Sequence, residues 1–178
     1  LDGKIVTYGA FPVWCDGKQY SKVYVQEDNR SSGIAVLFPY TAGDLPAAGD
    51  KLTVTGALGE YNKEAGLLAE VWTVDRGPVD PISGLPQGYA LPKALALNQK
   101  MLGTRAVNQP PLFSNNSNLC TIGLRVRMYG RVTWVSSEGS PGDVVAYIDD
   151  GGGILDGSGN AGVRAYLPGK GTGGIHVG

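Results

Sequence analysis

Val23-Tyr24-Val25-Gln26-Glu27-Asp28, Gly33-Ile34-Ala35-Val36-Leu37-Phe38 and Gly49-Asp50-Lys51-Leu52-Thr53-Val54-Thr55-Gly56 decide the fold class. The first and last alternate apolar and polar residues with a period of two, the signature of a half-buried strand. The middle one is a short, nearly continuous apolar run closed by Pro39. Moving outward, Lys4 to Tyr8 and Leu67 to Val74 read as two further strands, and the second run extends back to Ser21. No segment of this half sustains a helical period. Five short strands within residues 1–80 predict a small barrel or sandwich.

The texture changes from Pro81 to Leu119, where Pro81, Pro86, Pro92, Pro110 and Pro111 punctuate the chain and Asn115-Asn116-Ser117-Asn118 forms a polar cluster. The reading here is an ordered connector, with a short helix expected over Lys93 to Met101. Strands resume at Leu124 to Tyr129, Val144 to Ile148 and Gly162 to Tyr166. This second half repeats the first. Ile5-Val6-Thr7-Tyr8-Gly9 matches Val126-Arg127-Met128-Tyr129-Gly130, with continuations that end near Trp14 and Trp134. Val23 to Asp28 matches Val145 to Asp150 with a slip of one residue, and Gly33 to Val36 matches Gly162 to Ala165. Such an order indicates duplicated modules. The expected organisation is therefore a module at 1–80, a connector at 81–119 and a second, incomplete module at 120–178 that lacks the last two strands.

Composition agrees with many strands joined by turns: of 178 residues 28 are glycine and 11 proline, and only 17% are charged. No apolar run approaches the roughly 20 residues that cross a bilayer as a helix. The chain starts at Leu1, which fits either a removed leader or a piece of something longer. Cys15 and Cys120 lack metal-site spacing; a Cys15–Cys120 disulfide, within or between chains, is expected over two buried thiols, and with it an extracellular setting.

The run from Val23 through Gly33-Ile34-Ala35-Val36-Leu37 and Gly49 to Tyr61, ending on Leu67 to Val74, resembles a bacterial OB-fold module of secreted and nuclease-associated proteins. The second half, Gly123 to Val135 and Ala146 to Gly169, resembles the tandem OB-like repeats of large surface proteins from environmental bacteria of the Armatimonadetes type. The resemblance implies an all-β fold of two small OB-like barrels. It transfers no catalytic residue, because that fold hosts many functions.

The residues offer little to an enzyme. His176, the only histidine, sits in a glycine-rich tail, which argues against a Ser-His-Asp or Cys-His arrangement. No cofactor is expected. Glu27-Asp28 and Asp149-Asp150 occupy matching places before turns, where acidic side chains cap backbone N–H groups. Asp149, Asp150, Asp156 and Asn160 supply oxygens in a pattern similar to a calcium loop, but Leu167 stands where a bidentate Glu belongs, and a plain hairpin loop is the favoured reading. Tyr24, Phe38, Tyr40, Tyr61 and Trp72 are candidates for an aromatic ligand face, with Tyr20 beside them. Residues 1–80 carry seven basic against eleven acidic side chains, which opposes a polyphosphate backbone. Arg125, Arg127, Arg131 and Arg164 make the second half more favourable, though Arg125 and Arg127 also read as a solvated strand face.

The expected function is a non-enzymatic structural or interaction protein of the cell surface. It would be a subunit of a homo-oligomer or filament in which a neighbour's strand completes the second module. Residues beyond Gly178 or the connector could instead supply that cover. The alternative is an OB-type binding module for an oligosaccharide or, less favoured, single-stranded nucleic acid.

Overall fold

The computed structural model describes residues 1–61, 64–99, 122–137, 143–155, 158–167, 175 and 177. It contains β-strands and almost no helix. Two compact units emerge: unit 1 holds Leu1–Leu95 with residues 122–125, and unit 2 holds 96–99 and the described residues from 126 onward.

Unit 1 is built from β1 (Lys4–Cys15), β2 (Lys18–Gln26), β3 (Gly33–Pro39), β4 (Lys51–Tyr61) and β5 (Glu64–Asp75). They form one sheet in the order β1-β2-β3-β5-β4, and β1 returns to β4 through Lys4–Leu52 and Ile5–Lys51, so the sheet closes on itself. Every pairing is antiparallel except β3 with β5. The ring is filled by Val6, Val23, Val25, Val36, Phe38, Leu52, Val54, Leu67 and Ala69, with Trp72, Val74, Ile34, Ala42 and Leu45 packed against them. The period-two pattern of β2 and β4 sends alternate residues into this core, and its burial drives closure.

The strands outrun the sequence signals. β1 continues to Cys15 through Gly9 and Pro12, and β4 and β5 form a hairpin reaching Tyr61 and Glu64. Bulges permit these lengths. One lies in β5, where Glu70 is the extra residue opposite the Thr55–Gly56 step of β4, and beside it a Cβ on Gly56 would lie 1.9 Å from the Leu68 carbonyl oxygen.

Residues 78–92 belong to unit 1. Tyr89 donates its N–H to Gly49 O at 2.6 Å and its hydroxyl to Asp75 at 2.7 Å, while Lys51 lies 4.5 Å over its ring. Lys93 to Gln99 is not an α-helix: Leu95–Ala96 is extended as β6 and pairs with β7 (Val126–Arg127). Pro92 and the ladder to Arg125 and Arg127 override a weak local helical preference. The remainder of the expected connector, 100–119, lies outside the described residues.

Unit 2 presents β8 (Arg131–Ser137), β9 (Val144–Asp149) and β10 (Val163–Leu167) in the antiparallel order β10-β9-β8. Val144, Val145, Ala146 and Tyr147 of the middle strand are all buried. The expected strand over Leu124–Tyr129 shrinks to Val126–Arg127, and the long first strand of this unit starts at Arg131. Arg131-Val132-Thr133-Trp134, not Val126 to Tyr129, takes the place that Ile5-Val6-Thr7-Tyr8 takes in unit 1. The registers show it: Val6 faces Val25 and Tyr8 faces Tyr24, while Val132 faces Ile148 and Trp134 faces Tyr147, each pair of steps interrupted by one irregularity. The next ladder agrees, since Val25 pairs with Ile34 and Ile148 with Val163. Gly33 and Gly162 lead the third strand in both units because the facing carbonyl comes close. A Cβ would approach Val25 O to 2.8 Å at Gly33 and Ile148 O to 2.6 Å at Gly162.

Candidate aromatic and ionic face

The core-facing residues of β2 are Val23 and Val25, so Lys22 and Tyr24 stand on the outer side of the ring. On β1 they meet Phe11 and Tyr8, three residues apart, which a regular strand would send to opposite faces. The irregularity between Tyr8 and Phe11 adds one residue and brings both rings to one side. Phe11 meets Tyr8 edge-on at 5.4 Å and stacks on Tyr24 at 6.1 Å. Tyr8 remains 47% exposed, so this end of the row is open to solvent.

Lys22 is enclosed by these rings, with its ammonium 4.9 Å from the Tyr24 centroid and 5.8 Å from that of Phe11. Glu64, at the start of β5, accepts from Lys22 Nζ at 2.5 Å and from the Tyr24 hydroxyl at 3.1 Å through the same oxygen. The pair is largely buried, with 14% and 21% of the side-chain surfaces exposed. Burial by itself lowers the Lys22 ammonium, but the hydrogen bonds and charges of Glu64 and Tyr24 more than offset it, and the net displacement is upward. Burial also raises the Tyr24 hydroxyl, the largest influence on it. The face thus combines an apolar platform with a locally neutral donor–acceptor pair.

The five aromatics expected to line one face do not share it. Tyr24 and Tyr61 lie on the outer side; the Tyr61 ring covers Gly66, whose neighbour across the ladder is Ala35, itself opposite Tyr24. Phe38 is completely buried in the core and meets Trp72 edge-on at 5.1 Å. Tyr40 follows β3 and is exposed. Sequence reasoning missed Tyr8, Phe11, Lys22 and Glu64. The missing signal is the bulge, which no local pattern announces.

Cys15 is a free, buried thiol, and its expected partner Cys120 lies outside the described residues. So do His176 and Asp156. Asp149 and Asp150 accept backbone N–H bonds from Gly153 and Gly152, each at 3.0 Å, as turn carboxylates do. Asn160 bonds Ser158 through its amide group at 3.1 Å. Among the described residues no group of three or more His, Cys, Asp or Glu side chains could hold a metal ion. A shallow cleft of about 200 Å³ opens beside Lys4 and Glu27, away from the aromatic row and below the usual size for enclosing a small molecule. No helix of the described chain is long and apolar enough to cross a membrane. No family model, curated protein or solved structure matches this chain.

Proposed function

We propose that this protein acts by binding, not catalysis, and that both units are OB-type modules, the first of which takes a neutral oligosaccharide on its outer β1–β2 face. The strand order β1-β2-β3-β5-β4 with return to β1, and the shared registers of the second unit, support the OB-type reading. The observation that carries the ligand class is the Lys22–Glu64 pair set among Tyr8, Phe11 and Tyr24. Aromatic rings stack on the apolar faces of sugars, and a neutral donor–acceptor pair matches hydroxyl groups. A phosphate chain would need Lys22 unneutralised and an excess of basic residues, where residues 1–80 have an excess of acidic ones. An extracellular or surface location rests on the expected Cys15–Cys120 disulfide and on a composition rich in Gly, Asn, Ser and Thr.

Tyrosine and tryptophan fluorescence titrated with neutral hexasaccharides, and with a thymidine oligonucleotide for comparison, tests this reading. Saturable sugar binding that falls about tenfold in Tyr8→Ala, the loss of one stacking contact, is expected. A response to the oligonucleotide alone, or to neither probe, overturns it.

A second reading is self-assembly into a surface polymer, supported by the main sheet of unit 2 showing three described strands where that of unit 1 has five. A strand from another copy would complete such a unit through main-chain hydrogen bonds. Light scattering of the full chain distinguishes a polymer from a monomer.

A further inference from the structure

We propose that the loop after β9 binds a hard divalent cation of the calcium class, held by Asp150 and the side-chain carbonyl of Gln99. The loop lies wholly within unit 2 and does not depend on the aromatic face of unit 1. Gln99 is completely buried, and its Oε1 has no hydrogen-bond donor among the described residues. Its orientation is set by the other end of the amide, where Nε2 donates to Ile154 O at 2.9 Å. Reversing the amide would turn two carbonyl oxygens on each other. A buried carbonyl without a donor is rare, because desolvation is not compensated.

That oxygen and Asp150 Oδ1 both border Gly152. A Cβ added there would sit 3.0 Å from Asp150 Oδ1 and 3.4 Å from Gln99 Oε1, so both oxygens flank the space that a side chain would take. Gly151 and Gly153 have left-handed backbones with φ of 92° and 61°, but Gly152 does not, and backbone geometry gives no reason for glycine there. Its absent side chain leaves the cradle open. The carboxylates are already oriented: Asp150 Oδ2 accepts from Gln99 N at 2.7 Å, and Asp149 Oδ1 from Gly153 N at 3.0 Å.

Charge completes the argument. Asp150 takes the place that Glu27 takes in unit 1, by the registers of the two ladders. Glu27 is neutralised by Lys4 at 2.9 Å, but the residue matching Lys4 in unit 2 is Gly130. Among the described residues neither Asp149 nor Asp150 forms an ion pair. Adjacent carboxylates and an amide carbonyl are calcium ligands, with water completing a coordination shell of six to eight oxygens. Zinc would call for nitrogen or sulfur, and magnesium for stricter octahedral geometry.

Calorimetric titration of the full, chelator-treated chain with calcium chloride tests the site, with magnesium chloride as comparator. One saturable calcium site is expected, weakened at least tenfold in Gly152→Ala, whose methyl group fills the cradle against Asp150 Oδ1. Gln99→Met, which removes the carbonyl, should do the same. Near-ultraviolet dichroism of the Trp134–Tyr147 pair verifies that each variant is folded. The absence of saturation up to several millimolar, beyond the weakest calcium modules at about 1 mM, overturns the proposal. So does equal affinity for magnesium, or calcium binding that survives both substitutions unchanged.

Discussion

Thr7 and Thr133 do the same work in the two units. Each stands at the irregularity in the first ladder of its unit, and each hydroxyl reaches the carbonyl of the facing tyrosine, Tyr24 at 3.2 Å and Tyr147 at 3.4 Å. Each also has a second carbonyl within reach, Gly123 O at 2.9 Å for Thr7 and Ala161 O for Thr133. A bulge leaves ladder groups without their regular partners, and a short β-branched hydroxyl is suited to hold it.

Thr7→Val and Thr133→Val keep shape and remove the donor. Each is expected to destabilise its unit by about 1–3 kcal/mol, the range for leaving a buried acceptor without its partner. Urea denaturation followed by circular dichroism measures it. Midpoints unchanged in both variants would show that the bulges are held by packing alone.

Gly56 and Gly59 lie in the same strand and differ in what a methyl group would meet. At Gly56 it meets the Leu68 backbone at 1.9 Å; at Gly59 the nearest atom is the movable Tyr61 hydroxyl at 3.2 Å. Gly56→Ala should cost at least about 3 kcal/mol, since the backbone itself must shift, and Gly59→Ala should stay within about 1 kcal/mol. Thermal melts of the two variants decide, and equal losses would contradict the close approach of the Leu68 backbone to Gly56.

Glu64→Gln removes the charge that offsets the burial of Lys22. The expected loss is about 1–3 kcal/mol, and the Lys22 ammonium should fall below the ordinary lysine range because burial then dominates. A titration of the lysine side-chain signals by NMR reads this directly. A Lys22 value that stays raised would show that Tyr24 alone holds the proton.

Lys22 and Tyr24 both have raised values in the folded protein, and both therefore keep their protons more tightly folded than unfolded. Their contribution is complete below about pH 10, where the unfolded groups titrate, and is lost as pH rises through the folded values. Asp75 is displaced downward by the Gly77 N–H first and the Tyr89 hydroxyl second, and Asp80 by the N–H groups of Ile82 and Ser83. Their contribution is present above about pH 4 and fades as pH falls. Urea midpoints should be flat between about pH 5 and 9 and drop on both sides. A midpoint at pH 11 equal to that at pH 8 would contradict the alkaline arm.

The all-β class was legible in Val23 to Asp28 and Lys51 to Gly56 because a period of two is a local property of the chain, and burying one face of each strand requires no knowledge of its partners. The match of Val25 and Ile34 with Ile148 and Val163 was legible for the same reason: each segment carries its own pattern. The first strand of unit 2 was misplaced at Val126 because a Tyr-Gly ending outweighed Thr133, whose importance lies in a carbonyl across the ladder. Only the tertiary structure could put Tyr8 and Phe11 on one face, since that depends on a bulge set by pairing with β2. It alone separated Phe38 from Tyr24, brought Glu64 to Lys22, and set the backbone N–H of Gln99 on the carboxylate of Asp150, 51 positions away. Alternation along a strand states which residues are buried together; register, bulges and ring closure, fixed by non-local hydrogen bonds, decide which exposed residues meet.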